Sequence, residues 1–370
     1  MQSSPQLLEH LLQRRDLTEA DAERLLVHMA SPEFPAAMSG ALLAALRAKG
    51  ETAAEVRGFA HAMRGLSRKP NLPEGLDAID IVGTGGDASG SLNLSTGAAL
   101  LTAACGMPVV KHGNRSISSR SGSADLIEAL GFVPPLDEIG ASQCFEATGF
   151  AFLFAPYFHP AMKALAPIRA ALGVRTLFNL LGPLTNPAAP RFLLVGAHSA
   201  ATAQLLAGTL AGMPLSRAWV VHGAAGWDEA TPIGPFLVYE VFEGATVRRE
   251  LDPRDFGIER CEAQALAGGD AAANLEALFQ VFDGIDHGAH RAALLLQAGM
   301  ALTIAGRVAS IGAGIALARD AIESGGARAW LRRLQRFAAN RAVAVTDPPR
   351  DEARAGETVA AEARSARTSA

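Results

Sequence analysis

The 370-residue chain is predicted to be an α/β protein, with a small all-helical N-terminal domain and a larger α/β domain whose mostly parallel central sheet is flanked by helices. Three observations predict this. Residues 1–68 carry helical periodicity with no strand pattern, a linker with two prolines and an Asn follows at Lys69–Gly75, and short apolar runs then alternate with helical patterns.

In the first segment Leu7, Leu8, Leu11 and Leu12 recur at the spacing of one helical stripe. Thr18 with Asp21 resembles a capping box with Asp in the Glu position and opens a run through Met29. Pro35 interrupts the pattern, Ala36–Lys49 reads as a third helix stopped by Gly50, and Thr52 with Glu55 starts a fourth that runs through Met63. Beyond the linker, Ile79–Val82, Met107–Val110, Phe150–Phe154, Phe192–Gly196 and Trp219–Val221 read as strands, with Leu237–Phe242 at the sheet edge. Helices at Gly97–Ala104, Ser123–Leu130 and Ala201–Ala211 fall between strands, and those at 274–282, 291–305, 311–323 and 327–337 would cover the sheet. Thr346–Ala370 has two prolines, no aromatic residue and one branched aliphatic, Val359. It cannot offset ordering entropy by apolar burial and reads as a disordered tail. The expected domains are therefore 1–68, 76–345 and the tail 346–370.

Hydrophobic residues are 49% of the chain and aromatics 6%, so the core must be built from Ala, Leu, Val and Ile. A net charge of −4 argues against nucleic acid as a partner, and the positive charge for an anionic substrate must be gathered locally. Cys105, Cys144 and Cys261 show no metal-ligand spacing and suit a reducing compartment. The first residues lack a continuous apolar signal segment, and no uncharged apolar run reaches the roughly 18–20 residues of a membrane span. A cytoplasmic protein without membrane association is expected.

Four segments carry chemistry. The first, Asp80-Ile-Val-Gly-Thr-Gly-Gly-Asp87, feeds a strand into a glycine turn whose backbone N–H groups can converge on an anion, and Ser95 and Thr96 then stand near a helix N-terminus. It is neither a P-loop nor a Rossmann fingerprint. In the second, Lys111 through Ser123, a strand ending at Val110 gives way to a loop with Lys, His, two Arg, an Asn and five hydroxyls in thirteen residues, a local oxyanion site. The third includes His159, and Arg169, whose guanidinium can meet a planar carboxylate bidentately. The fourth, Val220-Val-His-Gly223 with Trp227-Asp-Glu229, places adjacent carboxylates after a strand, where they can bind Mg²⁺ and would face the glycine turn and Ser95 across a cleft.

Taken in order, GTGGD, N-x-S-T, KHGNRSISSRSGSAD, FLFAP-x-x-HPAMK, RTLFNLLGPLTNP, VVHG and DE resemble the anthranilate phosphoribosyltransferases of tryptophan biosynthesis, and the likeness runs from about residue 5 to 338. It implies that the helical domain is completed by about 165–185, that the active site lies between the domains, and that the chain forms a homodimer through its helical domain. It also implies that phosphoribosyl diphosphate is held by Gly83, Gly86, Asp87, Ser91, Asn93, Leu94, Ser95 and Thr96. Lys111, His112, Gly113, Asn114, Arg115, Ser116, Ile117, Ser118, Ser119 and Ser123 would close over the same ligand. Gly83, His112, Asn114, His159, Arg169 and Gly182 would line the anthranilate channel, and Ser95, Asp228 and Glu229 would coordinate Mg²⁺. Lys111, Asp228 and Glu229 carry the electrostatics of catalysis, and no side chain stands out as a general base. The chain departs from the family pattern at Leu92, Trp227 and Gln297, where Phe, Leu and Asn are common. Two other readings are a pyrimidine nucleoside phosphorylase-like enzyme and a non-catalytic nucleic-acid-binding relative; the intact GTGGD, N-x-S-T and DE segments weigh against the latter.

Overall fold

The computed structural model describes residues 3–73, 75–115, 120–133 and 135–346. Four helices open the chain: α1 (Ser4–Leu12), α2 (Glu19–Met29), α3 (Ala36–Lys49) and α4 (Ala53–Gly65). Thr52 and Glu55 form a reciprocal capping box at α4, the Glu55 carboxylate accepting from the Thr52 amide at 2.9 Å. At α2 the Thr18 hydroxyl accepts from the Asp21 amide, but the shorter Asp21 side chain bonds the Thr18 hydroxyl instead of its backbone. Glu55 is fully buried; it accepts from the Leu17 amide at 2.9 Å and pairs with Lys49 at 3.0 Å, which joins the segment leading into α2, the end of α3 and the start of α4.

The sheet has seven strands: β1 (Ile79–Gly83), β2 (Val109–Gly113), β3 (Phe150–Phe154), β4 (Phe192–Gly196), β5 (Arg217–His222), β6 (Phe236–Phe242) and β7 (Ala245–Leu251). Their order is β3-β2-β1-β4-β5-β6-β7; the first five run parallel, and β6 and β7 are antiparallel additions. The remaining helices are α5 (Leu94–Ala104), α6 (Ser123–Ala129), α7 (Glu138–Thr148), α8 (Ala155–Phe158), α9 (Met162–Leu172), α10 (Phe178–Leu181), α11 (Ala200–Ala211), α12 (Ala271–Phe282), α13 (Ala289–Ile304), α14 (Ile311–Glu323) and α15 (Gly326–Thr346). Among the described residues no helix is long and apolar enough to cross a membrane.

Two apolar cores lie on opposite faces of this sheet. Leu194, Trp219 and Val221 face the core shared with α5 and α12–α15, whereas Leu193, Val195, Ala218 and Val220 face the other. The alternation follows from the two-residue period of a strand. The second core also contains Leu25, Leu46 and Phe59 of the N-terminal helices, Leu165 of α9, and Leu177, Phe178, Leu181 and Leu184 of the returning segment. The N-terminal helices therefore pack on the sheet through a shared core.

Several elements differ from the sequence reading. β2 does not end at Val110 but continues to Gly113, because parallel pairing with β3 persists to the register Gly113–Phe154. β6 is not the edge: an exposed hairpin partner, β7, lies outside it, joined through Glu243 and Gly244, both at positive φ. α7 buries small side chains such as Ala141, Ser142 and Cys144, so it lacks a large apolar stripe. α5 starts at Leu94 rather than Gly97, and α15 runs past Phe337 to Thr346, the first residue of the expected tail. Residues 347–370 lie outside the described residues.

Candidate active site

The strand ends of β1, β2, β4 and β5 converge where α/β folds place ligands. The loop after β1 reaches the acidic pair directly, with no cleft between them: Asp228 Oδ2 accepts from the Gly85 amide at 2.6 Å. A Cβ on Gly83 would stand 2.3 Å from that same oxygen, so the glycine makes room for the carboxylate. Glu229 Oε1 accepts from the Ser95 amide at 2.9 Å in the first turn of α5, where a helix terminus favours negative charge. Asp87 accepts from the Asp228 amide at 3.3 Å and from Ser89, which contacts Ser91 at 3.2 Å. Burial, followed by the charge of Asp87, pushes Asp228 up to about 7. Burial and the neighbouring carboxylates Asp228 and Asp87 raise Glu229 well above the ordinary range.

Lys111 approaches from below. It is 1% exposed within β2, its ammonium donating to the Ile81 carbonyl and lying 3.5 Å from Ser95 Oγ. It is thus a strand residue under the glycine loop and not part of the following loop. Burial lowers it to about 8, partly opposed by Asp80, Glu229 and Asp228. Asn93 donates to the Ser121 carbonyl at 3.0 Å and accepts from Asn274 of α12 at 2.8 Å. Leu94 and Thr96 point into the core at 1% exposure, so only their backbone is available to a ligand.

On the other side of β2, His112 and His159 meet through their Nε2 atoms at 3.2 Å, and His112 Nδ1 lies 3.3 Å from the Gly182 carbonyl. A carbonyl only accepts, which puts the His112 proton on Nδ1 and makes His159 Nε2 the donor between the rings. Burial lowers His112 to about 3, with His159 adding to the effect, and burial lowers His159 to about 4, so both are neutral at pH 7. Arg169 of α9 lies 5.2 Å over the Phe178 ring, and among the described residues it pairs with no carboxylate. Asn114 Oδ1 accepts from the Arg115 amide at 2.7 Å, and Ser123 donates to the Asn114 carbonyl at 3.1 Å. Arg115 turns toward α6, where it pairs with Asp125 at 2.7 Å and Glu128 at 2.5 Å. Ser116, Ile117, Ser118 and Ser119 lie outside the described residues.

Residues 75–328 match the glycosyl transferase family, a/b domain, and residues 5–67 match the glycosyl transferase family, helical bundle domain. The anthranilate phosphoribosyltransferase of Rubrobacter xylanophilus is 47% identical over 86% of this chain and 93% of its own length. That of Solibacter usitatus is 45% identical over 90% of this chain and 99% of its own. The crystal structure of the Thermus thermophilus enzyme superposes with a TM-score of 0.83 at 40% identity, covering 90% of this chain and 99% of that one. The Saccharomyces cerevisiae enzyme in complex with phosphoribosyl diphosphate and Mg also gives 0.83, at 27% identity over 91% and 98%. The chain belongs to the anthranilate phosphoribosyltransferase family.

As an anthranilate phosphoribosyltransferase it is a pentosyltransferase, and polar residues to which the sequence reading gave no role lie close to its strands. Asp80, fully buried on β1, accepts from Asn186 Nδ2 at 2.9 Å, while Asn186 also donates to the Val110 carbonyl at 2.8 Å. Burial pushes Asp80 up to about 6 despite Lys111 and Asn186. Arg175 donates to the Gly86 carbonyl, and a Cβ on Gly86 would stand 1.9 Å from its Nη2. Arg175 and Asn186 both lie within RTLFNLLGPLTNP, and the signal was a polar side chain at each end of an apolar run. Among the described residues no three His, Cys, Asp or Glu side chains form a ready metal cage. The donor set still fits Mg²⁺, which typically takes one or two carboxylates and completes its shell with substrate oxygens and water. Two carboxylates driven toward protonation by burial and by neighbouring acids are a site that a divalent cation would relieve.

Proposed function

We propose that the enzyme transfers the 5-phosphoribosyl group from phosphoribosyl diphosphate to the amine of anthranilate at these strand ends, with Asp228, Glu229 and Ser95 holding Mg²⁺. The observation that carries the reading is on β2. Adjacent residues Lys111 and His112 point to opposite sides of the strand, one toward Ser95 and the acidic pair, the other toward His159 and Gly182. This supports a donor site and an acceptor site that adjoin at the end of one rigid strand.

The C1–oxygen bond to diphosphate breaks as the anthranilate nitrogen bonds to C1, and the nitrogen then loses its proton to solvent. Bound Mg²⁺ supplies charge compensation to the departing diphosphate oxygens. Lys111, pre-positioned in the strand, adds a fixed positive charge beneath them. The backbone amides of the Gly83–Asp87 turn and of the first turn of α5 are the donors that orient the phosphates. The neutral pair His112 and His159 packs the acceptor ring without competing for its carboxylate, and Arg169 meets that carboxylate. An aryl amine is neutral at pH 7, so holding it near C1 does the work that a strong base would do elsewhere.

We assign the enzyme to the cytoplasm as a homodimer, a reading supported by its three free thiols and by the exposed apolar side chains Leu12 and Val27 on α1 and α2. The direct test is the loss of anthranilate fluorescence on adding phosphoribosyl diphosphate and Mg²⁺. Unchanged fluorescence, with free base released from thymidine or uridine by phosphate, would overturn the assignment.

A further inference from the structure

Gln297 lies on α13 at 3% exposure, and its Nε2 is buried with no hydrogen-bond partner. A buried amide donor without a partner destabilises a fold, and an apolar side chain of the same length would avoid that cost. Gln297 forms one wall of a cavity whose other walls include Gly83, Ser95, Asp228 and Glu229. The Ser95 amide holds Glu229 Oε1 and the Gly85 amide holds Asp228 Oδ2, and among the described residues no hydrogen bond fixes Glu229 Oε2. The cavity has room for a single water molecule.

We infer that Gln297 is a positioning residue for the acidic pair: its amide donates, through one water in this cavity, to the second oxygen of Glu229 and sets the plane of that carboxylate. The inference rests on the reading that Asp228 and Glu229 hold Mg²⁺. Outer partners of this kind orient a ligand carboxylate, and their loss weakens metal binding about 10–100-fold.

The test is Mn²⁺ binding, read from the free-ion EPR signal, with phosphoribosyl diphosphate present and anthranilate absent, so that no turnover occurs. Gln297→Met removes the donor at nearly constant length, and Mn²⁺ should bind about tenfold or more weakly. Gln297→Asn keeps an amide and should recover part of the loss, which keeps the test informative if the Met variant folds poorly. Wild-type affinity in Gln297→Met, together with a raised melting temperature, would overturn the inference, because a merely unsatisfied donor stabilises the fold when removed. The paired variant Asp228→Asn, Glu229→Gln separates the two readings. If it binds Mn²⁺ like the wild type, the metal site is elsewhere; if it alone loses Mn²⁺, only the role of Gln297 fails.

Discussion

Arg175 donates from Nη2 to the carbonyl oxygen of Gly86 at 2.6 Å, linking positions 89 residues apart. The arginine precedes Leu177 and Phe178, which are buried in the core shared with the N-terminal helices, and the glycine sits in the turn after β1 at φ +75°. One hydrogen bond thus ties the segment packed against the N-terminal helices to the glycine loop. A hydrogen bond from a charged group contributes roughly 1.5–3 kcal/mol, and partial exposure puts this one at the low end. Arg175→Ala should raise the KM for phosphoribosyl diphosphate about tenfold and leave that for anthranilate nearly unchanged. Steady-state kinetics with each substrate varied decides it; equal effects on both would show that the arginine only supports the fold.

Asn186→Ala should be costly to stability. The side chain bridges the buried Asp80 carboxylate and the Val110 carbonyl, so its loss leaves a fully buried acid short of a donor. Removing one partner of such a group costs about 2–4 kcal/mol. Urea unfolding at pH 7 measures it, and a loss under about 0.5 kcal/mol would mean that water replaces the amide.

His112 and His159 set an acid limit. Their folded values, about 3 and about 4, lie below the ordinary 6.5, so the unfolded chain binds their protons more tightly. Their contribution is complete above pH 6.5 and is lost as pH falls toward the folded values. At pH 5 this amounts to about 2 kcal/mol per histidine. His112→Gln should flatten the decline in melting temperature between pH 6.5 and 4. The slope, not the absolute stability, is the quantity to compare, and an unchanged slope would show that the ring is wetter than the structure makes it.

Arg169→Ala should raise the KM for anthranilate far more than that for phosphoribosyl diphosphate. Its guanidinium is held over Phe178 and is not engaged by an acidic side chain among the described residues, so it is ready for a planar carboxylate. A loss of about 1.5–3 kcal/mol, or roughly 10–150-fold, is expected. An equal rise for both substrates would contradict the acceptor role.

The parts legible in the sequence are those where pattern and fold agree. Phe150–Phe154 and Phe192–Gly196 read as strands to the residue because they are apolar throughout and bounded by turn residues. β7, with Arg248, Arg249 and Glu250 on an exposed strand, had no alternation to detect. Lys111 was misread as a loop residue because an ammonium at a buried strand position runs against composition; it is stabilised by the Ile81 carbonyl and by Asp80, contacts that span some thirty residues of sequence. The same is true of Asp80 with Asn186, separated by 106 residues. Motifs point to candidate residues, but not to which of them touch.

The acidic pair provides the sharpest separation of stability from function. Asp228→Asn with Glu229→Gln retains the carbonyl oxygens that accept from the Gly85 and Ser95 amides, so the local backbone should be held as before. The variant loses the charge and exchanges one acceptor oxygen of each group for an NH2 donor. Both folded carboxyls titrate above their ordinary range, Asp228 near 7, so the native state binds their protons more tightly than the unfolded chain does. Their contribution to stability is therefore present at low pH and is lost as pH rises through the folded values. At pH 8 without metal the charge of Asp228 opposes folding, and the neutral pair should melt at the same temperature as the wild type or higher. Turnover should move the other way. Charge compensation by a bound metal is worth several kcal/mol in a transition state, so kcat/KM should fall on the order of 100-fold or more at any Mg²⁺ concentration. Melting curves in chelator and rates across a Mg²⁺ series test the two halves together. A variant that melts lower than the wild type would mean that the carboxylates serve the fold, and one that turns over normally would remove Asp228 and Glu229 from the metal site.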